Sequence, residues 1–81
     1  MMDVPARGAV QLSRSQTRIV ADVLDPFVEA QGGVTRAAMA LGVKVYVVQK
    51  IRARRASTSM PFEHFDKVVT KLGVSTQGWD F

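Results

Sequence analysis

With 81 residues and no cysteine, the chain reads as one small domain with a limited core, without disulfide staples or cysteine-based zinc sites. A single histidine, His64, excludes a histidine-rich metal cluster, no cofactor is expected, and no apolar run approaches the ~20 residues of a membrane span. The net charge of +4 is uneven: residues 1–32 sum to −1 and residues 33–81 to +5, with six bases and no acid between Arg36 and Arg55. Such a patch suits a polyanionic partner, and the alternative is a solvated basic face.

Residues 1–14 hold Pro5 and Gly8 and no sustained period, and are expected to form a flexible arm from which Arg7 and Arg14 could reach a phosphate. MMDVPARGAV lacks the charged start and apolar stretch of a signal peptide, so a cytoplasmic location is expected.

The first predicted helix begins near Ser15, with Ser13 or Ser15 as its cap. Ile19, Val20, Val23, Leu24, Phe27 and Val28 recur at helical spacing. Pro26 lacks an amide donor and disfavours helical geometry at Asp25, so the helix either kinks there or stops near Leu24 with Asp25 capping a new turn, and the break is the favoured reading. Gly32-Gly33 ends the element.

Thr35 is expected to cap an alanine-rich helix through Leu41, which Gly42 stops. Across Val43–Arg55 local propensity and the longer window conflict. Val43, Val45 and Val47 alternate as in a strand, yet Val47, Val48 and Ile51, with the stem of Arg55, share one helical face. Tyr46, Gln49, Lys50 and Ala53 fall on the opposite face. The flanking pattern favours a helix. Ala56–Ser59 reads as a polar linker, followed by a helix capped by Ser59 or Met60 with Pro61 in its first turn. Phe62, Phe65, Val68, Val69 and Leu72 form the apolar face of that helix, which Gly73 ends. In the tail, residues 75–81, Trp79 and Phe81 either close the core or offer a surface for a protein partner.

The expected fold is therefore all-α, a bundle of four to five short helices, with the working domain at residues 15–74. Within it the stretch GGVTRAAMALGV, and the spacing Ala38, Gly42, Val48, Ile51, resemble the helix-turn-helix of phage Cro-type repressors and related small bacterial regulators. Ala38 is the small residue where two helices cross, Gly42 the turn, and Leu41, Val43, Val48 and Ile51 the anchors. SMPFEHFDKVVTKLGV is similar to the helix after the motif in that family. The resemblance covers Phe27 to Val74. It departs at Lys44, where a capping residue is usual, and in the valine content of the second helix.

The resemblance implies a sequence-specific double-stranded DNA-binding transcription regulator with its second helix, near residues 44–55, in the major groove. Lys44, Val45, Tyr46, Gln49 and Lys50 would read base edges, Gln49 pairing with adenine and Lys50 with guanine acceptors. Thr35, Arg36, Arg52, Arg54 and Arg55 would hold phosphates. A homodimer on two half-sites is implied, at least on DNA. Tyr46 has a second reading, in which its ring packs on a neighbour. The alternative function is an interaction module for a polymerase subunit or another regulator. No nucleophile, acid pair or phosphate loop supports an enzyme.

Overall fold

The computed structural model describes residues 8–79. Six elements follow one another: β1 (Ala9–Ser13), α1 (Arg14–Gln31), α2 (Val34–Leu41), α3 (Val45–Arg52), β2 (Ser57–Pro61) and α4 (Phe62–Leu72). The chain is mostly helical, as expected, but not all-α. β1 and β2 pair antiparallel, with Ala9 opposite Pro61 and Ser13 opposite Ser57.

The two strands lie where an arm and a polar linker were expected. Both bury alternate side chains: Val10 and Leu12 on β1, Thr58 and Met60 on β2. That alternation is the strand period of two, but each strand shows only two inward residues, too few to stand out beside the helical patterns. Pairing completes what neither stretch could do alone. The side chains of Gln11 and Ser57 also bond across the ladder, and the Phe62 amide donates to the Gly8 carbonyl at 2.8 Å. Gly8 and β1 thus belong to the folded body, within the stretch read as an arm; residues 1–7 of that stretch lie outside the described residues.

Ser13 ends β1 and caps α1. Its hydroxyl accepts from the Gln16 amide at 3.2 Å, while the Gln16 side chain accepts from the Ser13 amide at 2.9 Å, a reciprocal capping box. Contrary to the expected break, α1 runs unbroken through Pro26. Pro26 lies on the exposed face, so the Asp22 carbonyl that loses its partner faces water. Burial on both sides of it, at Val20, Ala21 and Leu24 before and Val28 after, holds the two halves in line.

Gly32 closes α1 at φ +90°, and Gly33 opens α2 at φ +136°. Gly33, not Thr35, is therefore the N-cap of α2, and no side chain caps that end. Two successive residues at positive φ allow an almost immediate change of helix direction, which side chains would resist. The core is one cluster drawn from every element. It includes Leu12, Val20, Leu24, Ala37, Val47, Val48, Ile51, Phe65 and Val68. Phe65, Val68 and Val69 are buried as expected of the α4 face, and Phe62 and Leu72 are half-buried. The N-cap of α4 is Pro61, since β2 leads straight into the helix without the Ser59 or Met60 cap expected.

Candidate nucleic-acid interface

The valine-rich stretch is a helix. Val47, Val48 and Ile51 are fully buried, so its β-branched residues fill the core. Burial of this inner face, against α1 and α2, outweighs local strand propensity. Between α2 and α3 the chain turns on two carbonyls, with the Gly42 amide shared between Ala38 and Met39. The Ala38 carbonyl takes bonds from the amides of Gly42, at 2.9 Å, and Val43, at 3.0 Å. Gly42 at φ +77° makes that double bond possible. Ala37 and Ala38 are buried, leaving little bulk where the helices meet. Lys44 caps α3 through its backbone only, as its lack of a short polar side chain implied.

The expected base-reading residues divide by environment. Lys44, Tyr46 and Gln49 are exposed, whereas Val45 and Lys50 are half-buried. Among the described residues, the side chains of Lys44 and Gln49 make no hydrogen bond or ion pair. Lys50 Nζ donates to the Ser59 carbonyl at 2.6 Å and lies 5.8 Å from the Tyr46 ring centroid. Tyr46 meets His64 edge-on, with centroids 6.3 Å apart. Lys50, Tyr46 and His64 thus form a short row joining α3 to β2 and α4. A shallow groove of about 260 Å³ runs beside it, lined by Tyr46, Gln49, Lys50, Ala53 and Arg55.

The expected phosphate-binding residues divide as well. Arg52 Nε meets Asp25 Oδ1 at 2.8 Å. Arg54 reaches Asp25 Oδ2 at 2.7 Å and Asp22 Oδ1 at 3.0 Å. Partial burial pushes the Asp25 carboxyl up, but the hydrogen bonds from Arg54 and Arg52 outweigh it and hold the group below its usual 3.8. Bonds to Asp22 and Asp25 raise Arg54 above its already high ordinary value. Arg54 is also the one non-glycine among the described residues with positive φ, at +53°. Of the three arginines at and just beyond the end of α3, two are therefore turned back onto α1. Arg55 lines the groove beside Tyr46 and Gln49, exposed and without a side-chain partner among the described residues.

Thr35 and Arg36 lie exposed in the first turn of α2, beside amides that no side chain caps. The Arg36 stem passes close to Gly32, where an added Cβ would lie 3.6 Å from its Cδ. The ion pairs, the Lys50 bond and the Tyr46–His64 contact depend on α1, β2 and α4 respectively folding against α3, and no local pattern in residues 44–55 announces them. Trp79 packs against Phe65 with centroids 6.1 Å apart, so it helps close the core, whereas Phe81 lies outside the described residues. Among the described residues no cluster of three or more potential metal ligands occurs, and no helix is long and apolar enough to cross a membrane. Neither protein-family models, nor curated proteins, nor solved structures give a match to this chain.

Proposed function

We propose that the chain is a sequence-specific double-stranded DNA-binding transcription regulator of the cytoplasm, in which α2 and α3 act as a helix-turn-helix and α3 enters the major groove. The observation that carries this reading is the two-sidedness of α3. Its inner face is fully buried, while Lys44 and Tyr46 stand out at its N-terminal end and Gln49 about one turn further along, with no acid among them. In such motifs that end approaches the base edges. Gln49, whose amide is free, suits a bidentate contact with adenine, and Lys44 suits guanine acceptors. Lys50 assists by holding β2 and adding positive potential, since its ammonium is bonded to a neutral carbonyl. Thr35, Arg36 and Arg55 are free for phosphates, and Arg52 and Arg54 serve to anchor the helix. Binding as a homodimer would double the few base pairs one such helix can read.

The test is selection of bound fragments from a random-sequence DNA pool, then affinity measurements on the selected and on random fragments. Lys44→Ala with Gln49→Ala should weaken selected-site binding by about 10- to 100-fold, with much less effect on random DNA. Equal losses on both would remove the base-reading role. The exposed Tyr46 beside its shallow groove supports a second reading, an interaction module for a polymerase subunit or another regulator. Absence of any DNA shift at low salt would favour it.

A further inference from the structure

α1 presents a second apolar line that the core does not use. At 3.6 residues per turn, Ser15, Ile19, Val23, Pro26 and Ala30 align on the side opposite Thr17, Leu24 and Val28. The latter three are buried, and the former five are exposed. Ile19 keeps 47% of its surface exposed and Val23 40%. A surface helix ordinarily carries polar residues on that side.

The charges of α1 lie along one flank of this line and run in order. Arg14 and Arg18 come first along it, and Asp22, Asp25 and Glu29 follow. The order opposes the helix dipole: no acid lies in the first turn and no base in the last. Within one molecule the arrangement is unfavourable at both ends. Asp22 and Asp25 are engaged by Arg54 and Arg52, whereas Arg14, Arg18 and Glu29 have no ion-pair partner among the described residues.

We propose that this face of α1 binds a second copy of the chain, with the two α1 helices antiparallel about a two-fold axis near Val23. The apolar line is almost symmetric about that residue, so Ile19 of each copy meets Pro26 of the other, and Ser15 meets Ala30. A shallow dent of about 260 Å³ lined by Ser15, Arg18, Ile19 and Asp22 seats the opposing Pro26. For antiparallel helices the two-fold brings like flanks together in reversed order. Arg14 and Arg18 of one copy then lie along Glu29 of the other, and the opposed dipoles also pair favourably. A parallel pair would set each charged flank against an uncharged one. One helix face is less than the ~800 Å² per partner of a standard interface, so the dimer is weak and dissociates on dilution.

This assignment does not rest on the DNA reading, and its test contains no DNA. Sedimentation equilibrium of the full chain, from about 1 to 500 µM at low salt, should show a monomer–dimer equilibrium. Val23→Asp, on the axis and exposed, should weaken association at least about 10-fold, with circular dichroism unchanged. Arg18→Glu and Glu29→Arg should each weaken it, and the double variant should restore it. A monomer at every concentration, a dimer indifferent to Val23→Asp, or no restoration by the double variant would each overturn the proposal.

Discussion

The two ends of α3 carry similar cations in opposite circumstances. At the N-terminal end Lys44 is exposed with no side-chain partner among the described residues. At the C-terminal end Arg52, and two residues beyond it Arg54, are clasped by Asp25 and Asp22 of α1. A run of bases that looks uniform in sequence is thus divided between cations left free and cations held by acids. Proximity to acids on a different element makes the division, and a count of charges does not reveal it.

The most severe way to break the contrast is to remove what both ends stand on. Ile51→Ala opens a cavity in the fully buried face of α3 and should cost about 2–5 kcal/mol in urea unfolding. It should impair both ends together. A loss of DNA binding with unchanged stability would contradict the shared foundation.

Asp25→Asn is subtler, since it converts one end towards the state of the other. It weakens the hold on Arg52 and Arg54 and should steepen the salt dependence of DNA binding, by up to about 1.8 in log–log slope if both arginines reach phosphates. An unchanged slope would show that those arginines have no route to DNA even when released. The same carboxylate sets a pH dependence. Its folded pKa is depressed, so its contribution to stability is present above the unfolded value, about 3.8, and is lost as pH falls through the lower folded value. The stability difference between the parent chain and Asp25→Asn should therefore shrink below pH 3.8 in acid titrations of unfolding. The smallest effect belongs to Arg55→Ala, which should lower the salt slope by about 0.9 without altering stability. A change in melting temperature would instead give Arg55 a structural role.

The sequence makes the helices legible because their signals are local. Gly32, Gly42 and Gly73 close three helices at positive φ, and the alanines of α2 and the apolar face of α4 behave as their spacing implies. What escapes is set by distant partners. The β1–β2 ladder joins stretches that are individually faint. Pro26 is tolerated because of what lies on its two sides. Within the candidate interface, burial of Val47, Val48 and Ile51 followed from periodicity, whereas the tethering of Lys50, Arg52 and Arg54 followed from tertiary contacts alone.

Ser13 belongs simultaneously to the last rung of the sheet and to the cap of the longest helix. Strand pairing and helix initiation therefore share a single residue, which makes them thermodynamically coupled. Gln11 and Ser57 stand 46 positions apart, so closing the ladder carries a large loop-closure cost. The helices can assemble through shorter loops first. Peeling β1 away would strip Val10 and Leu12 from the core and uncap α1 in the same motion, so the opening of this edge is a cooperative event, with the strand and the first turn of α1 exchanging their amide hydrogens together.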